Sequence, residues 1–150
     1  KYLSLFLILL ITFVPSFIGA FTTFFFKDPW YSQIILPSFN PPSWVFAPVW
    51  TTLYIMMSVA IWNVWISLFD IKILKLYFIH LFFNGSWSVI FFGFHQIGLA
   101  LINLMLILFF ILALMKIYLK KNKTSFYLML PYLAWCTFAL ILNISIYIYN

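Results

Sequence analysis

The chain has 150 residues and a formal net charge of +6, with 67% of residues hydrophobic against 7% charged. A mean hydropathy of +1.14 leaves too little polar surface for a water-soluble fold, so this is an integral membrane protein. No basic patch forms a groove for nucleic acid, and the single cysteine, Cys136, excludes an internal disulfide or a Cys-based metal cluster.

The apolar text falls into five stretches, 2–26, 45–69, 73–94, 97–119 and 125–149, each long enough to supply the ~20 residues that cross a ~30 Å hydrocarbon core. The expected fold class is all-α, a five-transmembrane-helix bundle with 1–150 as a single domain. The first stretch exceeds the ~7–15 apolar residues of a signal-peptide core and lacks a small-residue cleavage site, so it reads as a true span. The connection 27–44 is long for a membrane bundle and carries Pro29, Pro37, Pro41 and Pro42, which predicts an ordered lid or a rigid loop. Trp30, Tyr31 and Trp44 flank a membrane boundary, where amphipathic rings sit well at headgroup level. In the return leg, "NPPSWVFAPVWTTLY" at 40–54, Ser43 is placed to cap the second helix. Pro48 falls in about its first turn, where the missing N–H costs little.

In the second span, helical spacing aligns Trp50, Tyr54, Met57 and Ile61 in one stripe. Asp70 stands at a helix end, where it is expected to be solvated. In the third span His80, Asn84, Trp87 with Ser88, and Phe91 share a face, and polar groups in hydrocarbon must point inward. That face serves either interhelical hydrogen bonding or a polar handle in an aromatic pocket. His95 and Gln96 break the apolar text. A bis-histidine haem site needs both rings at one depth, and His95 lies at the helix end, far from the middle of the span that holds His80. Asn63, Asn103 and Asn143 suit packing or capping. In the fifth span Trp135, Ala139, Leu142 and Ile146 form a stripe in which Ala139 leaves room beside the ring, and Cys136 reads as a small apolar packing residue. The Trp50 and Trp135 stripes would wall a pocket for a flat apolar ligand, the alternative being aromatics turned to lipid.

With five spans, Lys1, Lys72, Lys75, Lys116, Lys120, Lys121 and Lys123 lie on one side of the membrane and Lys27 on the other. The positive-inside rule then predicts a cytoplasmic N-terminus, with the long first loop outside. No Ser-His-Asp, paired-carboxylate or metal-ligand spacing is present, so neither a conventional hydrolase nor a metal site is expected. Nothing in the chain implies a bound cofactor.

Longer phrases carry a resemblance. "WY" at 30–31, "PSFNPPSWVFAPVWTTLY" at 37–54, "FNGSWSVIFFGFHQIGLAL" at 83–101 and "PYLAWCTFALILN" at 131–143 closely resemble the translocator protein family, also called the tryptophan-rich sensory protein or peripheral-type benzodiazepine receptor family. The resemblance implies a five-helix membrane bundle, commonly a homodimer, with a ligand pocket near the side closed by the first loop. It also implies a bacterial cell membrane or, for a eukaryotic chain, the mitochondrial outer membrane. Family members bind porphyrins such as protoporphyrin IX, isoquinoline-carboxamide and benzodiazepine drugs and, in animals, cholesterol.

By matching motif positions, the pocket would include Trp30, Tyr31, Ala47, Trp50, Tyr54, Asn84, Trp87 and Phe91, with Thr23 from the first span. Leu99, Ile102 and Leu106 would line it from the fourth span, and Trp135, Phe138, Ala139 and Leu142 from the fifth. Asn84 would be the polar handle. Leu36 and Phe39 stand where many relatives have Lys and Trp, Ala47 where Gly is common, and Asn103 where an acid is usual, which alters loop-ligand electrostatics. "LNISIYIYN" has no basic residue after Tyr147, so the sterol consensus is incomplete.

The function implied first is a binding or sensing protein for porphyrin-like ligands, whose partners are membrane lipid, a planar apolar molecule and a second copy of the chain. One alternative is light-dependent breakdown of protoporphyrin at Trp50 and Trp135, with light, oxygen and the porphyrin supplying the reactivity. Another is a transporter of tetrapyrroles or sterols, although an odd span number shows no inverted repeat.

Overall fold

In the computed structural model, which describes residues 2–150, the apolar stretches become five long helices, and no strand occurs among the described residues. They are α1 (Tyr2–Phe26), α3 (Ser43–Leu68), α4 (Ile71–Ser88), α5 (Ile97–Lys121) and α6 (Lys123–Tyr149), with a single-turn α2 (Trp30–Gln33) in the first connection. All five are long and apolar enough to cross a membrane. The least apolar is the third span, at a mean hydropathy of 1.3, because it carries His80, Asn84 and three small residues between its aromatics.

Helix ends follow local chemistry. Asp70, expected to be merely solvated, is the N-cap of α4, its carboxylate accepting from the Lys72 N–H at 2.8 Å. Asn122 caps α6 in the same way, accepting from the Ser125 N–H at 3.1 Å. At the end of α3, Phe69 turns left-handed (φ 48°) and its N–H closes on the Trp65 carbonyl. Ser43 does not cap α3 as expected. The helix already includes it, Pro42 occupies the cap position, and no side chain caps that end. Pro48 is consequently deeper than a first turn, inside α3, where its ring removes a hydrogen bond to the Trp44 carbonyl.

The third span departs from a plain α-helix. Its last turn, Val89–Gly93, is a π-turn in which the Phe94 N–H reaches the Val89 carbonyl at 2.9 Å. The wider turn sets residues four apart nearly above one another, so Trp87 stacks on Phe91 with ring centroids 4.9 Å apart and planes 13° from parallel. Nothing in the hydrophobic periodicity distinguishes this turn from α-helix.

The helices close into a ring. α1 packs on α3, α3 on α6, α6 on α5, α5 on α4, and α4 back on α1. α1 and α4 approach closely at Gly85, where an added Cβ would stand 3.4 Å from the Pro15 backbone, in ordinary contact. The ring centre is filled by Met57, Ile61, Tyr77, His80 and Tyr132, each at most 1% exposed. Hydroxyls inside the spans satisfy themselves: Thr51, Thr52, Ser58, Ser86 and Thr137 each donate to the carbonyl four residues back. The alternation of spans gathers Lys72, Lys75, Lys116, Lys120, Lys121 and Lys123 at one end and leaves Lys27 at the other. Lys1, counted with the first group from sequence, lies outside the described residues.

Candidate ligand-binding site

Two aromatic assemblies and one groove hold most of the expected site residues. The first assembly lies inside the ring and is tied by hydrogen bonds. The Tyr54 hydroxyl donates to Asn84 Oδ1 at 2.8 Å, and Asn84 Nδ2 donates to the Tyr132 hydroxyl at 2.8 Å. His80 Nε2 lies 2.6 Å from that same hydroxyl. α3, α4 and α6 are thus joined through the side-chain amide of Asn84. Burial from lipid explains the arrangement, because a polar group left without a partner in hydrocarbon is costly. Trp50 stacks on Tyr54 at 5.4 Å and meets Tyr132 edge-on at 6.2 Å.

The second assembly lies at the rim, under the first connection. Trp30 meets Phe91 edge-on at 5.4 Å, and Tyr31 meets Phe92 edge-on at 5.5 Å. On its other side Trp30 stacks on His95, with ring centroids 4.5 Å apart. His95 reaches this position with φ 56°, a left-handed conformation that histidine tolerates better than most residues. Below, Trp87 Nε1 donates to Asn143 Oδ1 at 3.2 Å, and Asn143 Nδ2 donates to the Ile97 carbonyl at 3.2 Å. Burial raises the Tyr31 hydroxyl above its ordinary value, and Lys27 Nζ sits 5.1 Å from the Tyr31 ring centroid.

The groove runs between α3 and α6 and has a volume of about 790 Å³. Val49, Leu53 and Met56 form one wall and Ala134, Trp135 and Phe138 the other, and Pro41 from the first connection also lines it. Its lining is almost wholly apolar.

These positions regroup the sequence expectations. Tyr54, Asn84 and Trp50 fall in the inner assembly; Trp30, Tyr31, Trp87 and Phe91 fall at the rim, with Leu142 packed against them. Trp135 and Phe138 line the groove, and Ala139 packs on the main core. Thr23 is half-buried and holds Lys27 through its carbonyl. Ala47 is exposed. Leu99, Ile102 and Leu106 are not brought to the others: they are 55%, 53% and 40% exposed on the outer face of α5, because Ala100, Asn103, Leu104 and Ile107 take the inward one. Asn84, expected as a handle for ligand, has both ends of its amide engaged by tyrosines.

Three residues do more here than sequence reasoning gave them. Tyr132 ties α6 to Asn84 and His80; a tyrosine in mid-span was a signal, since its hydroxyl needs a partner there. Asn143, read as packing, fixes Trp87. Asn150 bonds to the first connection, a pairing across 115 residues that no local pattern announces.

A ring of five long apolar helices around a buried polar core, with tryptophans at its rim, defines a polytopic α-helical membrane protein. The sequence pattern of the TspO/MBR family matches residues 6–148, and the chain belongs to that family. It is similar to the tryptophan-rich protein TspO of Archaeoglobus fulgidus, at 33% identity over 90% of this chain and 89% of the relative. It is also similar to the tryptophan-rich sensory protein of Cereibacter sphaeroides, at 36% identity over 77% of this chain and 73% of the relative. The translocator protein of Homo sapiens is 37% identical over 79% of this chain and 73% of its own length.

Proposed function

We propose that the protein is a membrane receptor for planar apolar ligands of the porphyrin class, with benzodiazepine-site drugs as further occupants, and that it serves sensing or translocation as its relatives' names suggest. The observation that carries this reading is the groove between α3 and α6. Its volume of about 790 Å³ falls within the ~300–1,000 Å³ usual for small-molecule sites, and it offers Trp135 and Phe138 as stacking faces. The same two helices carry Tyr54 and Tyr132 of the polar network, and Trp50 packs against both of these rings. A macrocycle reaches such a groove from the bilayer, where apolar porphyrins partition. The N-terminus faces the cytoplasm in this reading, following the lysine-rich end, and two copies associate through apolar helix faces.

Quenching of tryptophan fluorescence by protoporphyrin IX in detergent or nanodiscs tests the reading. Trp135→Leu is expected to weaken binding by ~5-fold, the equivalent of the ~1 kcal/mol that an aromatic face contributes beyond its area. Leu99→Ala, on the outer face, is expected to leave it unchanged. Equal affinity in the wild type and in a folded Trp135→Leu variant would remove the groove from consideration.

A further inference from the structure

The first connection is held at two points by side chains that the receptor reading does not use. At its start, His95 stacks on Trp30 and its Nε2 lies 3.0 Å from the Phe26 carbonyl. A carbonyl only accepts, so this nitrogen carries the proton and donates. One imidazole therefore fixes both the last residue of α1 and the first ring of α2. Farther along, Asn150 grips Ile35 through both ends of its amide. Asn150 Oδ1 accepts from the Ile35 N–H at 2.8 Å, and Asn150 Nδ2 donates to the Ile35 carbonyl at 2.9 Å. The same Nδ2 also reaches the Ile146 carbonyl at 2.9 Å, which anchors the grip to the last turn of α6. A side-chain amide thereby does for one loop residue what a neighbouring strand does in a sheet.

Between and beyond these points, the connection reaches the groove. Phe39 meets Phe138 edge-on at 6.3 Å, and Pro41 is among the residues that line the groove. Few residues separate Ile35 from Phe39, and Pro37 among them is buried, so the placement of Ile35 governs where Phe39 and Pro41 come to rest. We infer that Asn150 and His95 are positioning residues of the ligand site: together they pin the first connection so that its return leg closes the α3–α6 groove, and release of the Asn150 grip opens it. This rests on the receptor reading for its ligand, but the two-point pin is a property of the chain alone.

Two readouts separate them. The first is ligand-free hydrogen exchange of the full-length protein in nanodiscs. Asn150→Leu is expected to speed exchange across 33–36 by ~10-fold, the loss of two partly exposed hydrogen bonds, while segments in the middle of α3 and α6 stay protected. Asn150→Gln, which carries the same amide one methylene farther out, is expected to restore part of that protection. His95→Phe keeps a ring beneath Trp30 but loses the donor, and is expected to free 27–31 without touching Ile35. The second readout is stopped-flow association and dissociation of protoporphyrin IX. Asn150→Leu is expected to raise both rates ~3- to 10-fold and to change the Kd much less, the mark of an opened groove rather than a damaged wall.

Unchanged exchange in both Asn150→Leu and His95→Phe would overturn the pin. Faster exchange with unaltered porphyrin rates would overturn the positioning role. Absence of porphyrin binding in wild type and variants alike would overturn the receptor reading while exchange still decides the pin.

Discussion

The two histidines mark two regions built from similar residues for different ends. His80 lies fully buried in a network where Tyr54, Asn84 and Tyr132 answer one another's donors and acceptors. His95 lies exposed at the rim, where its bonds go to a backbone carbonyl and to the face of Trp30. The inner region joins three spans to one another. The rim joins a connection to the spans beneath it. A polar group surrounded by hydrocarbon is costly to leave without a partner, whereas one at the aqueous edge has water as an alternative, so substitutions in the first region should tell on stability and in the second on loop order and ligand rates.

The largest effect is expected for Asn84→Leu, which leaves the Tyr54 hydroxyl without its buried acceptor and removes a donor from Tyr132. Thermal or denaturant unfolding in a fixed detergent should register a loss of ~2–3 kcal/mol. A loss no greater than that of a rim variant would dissolve the distinction between the regions. Gly85→Val comes next, at ~1–2 kcal/mol, because its branched side chain would press on the Pro15 backbone and force α1 away from the network it covers. Gly85→Ala should be far milder, since a Cβ there meets its neighbours at 3.4 Å.

Ser125→Ala should cost ~1 kcal/mol, the buried bond from its hydroxyl to the Ala60 carbonyl being lost with little change of shape. At the rim, Trp87→Phe keeps a ring against Phe91 but trims it and removes the bond to Asn143, whose share is ~0.6 kcal/mol, typical of interhelical pairs in membranes. Smallest of all, Trp30→Ala should shift the unfolding midpoint by no more than the ~0.5 kcal/mol of a surface change. Its consequence should appear instead as faster exchange of the first connection. A large stability loss there would mean that the rim, too, is structural core.

Much of this was legible along the chain. Span number and approximate limits follow from apolar run length, and the inward stripe Trp50, Tyr54, Met57 and Ile61 follows from helical period. In the structure Tyr54, Met57 and Ile61 are buried, as that stripe requires. The face through His80, Asn84 and Phe91 was legible for the same reason, since all three are buried. Less legible was the fifth span, where the buried line runs through Tyr132, Cys136, Asn143 and Ile146: of the stripe expected through Trp135, Ala139, Leu142 and Ile146, Ile146 is buried and the other three are only half-buried. An apolar helix shows little contrast between its faces, so lipid and core cannot be told apart by hydrophobicity within it.

The family motif carried Leu99, Ile102 and Leu106 into the site by position. The packing of α5 on both α4 and α6 turns them outward, and only the ring order of helices could decide that. The π-turn at Val89–Gly93 was equally hidden, because inserting one residue into a turn leaves composition untouched while re-aiming Phe91. Asn150 illustrates the limit most plainly, for its partner Ile35 lies 115 residues away.

What the amino-acid sequence determined by itself was the solvent: 67% hydrophobic residues in five long runs admit only a lipid-embedded helical protein, because every backbone group there must bond within its own helix. Tertiary structure alone decided which polar groups meet. Tyr132 with Asn84 and His80, His95 with Trp30, and Asn150 with Ile35 are contacts between elements, and an apolar helix carries too little directional information to specify its neighbours until packing brings a donor to an acceptor.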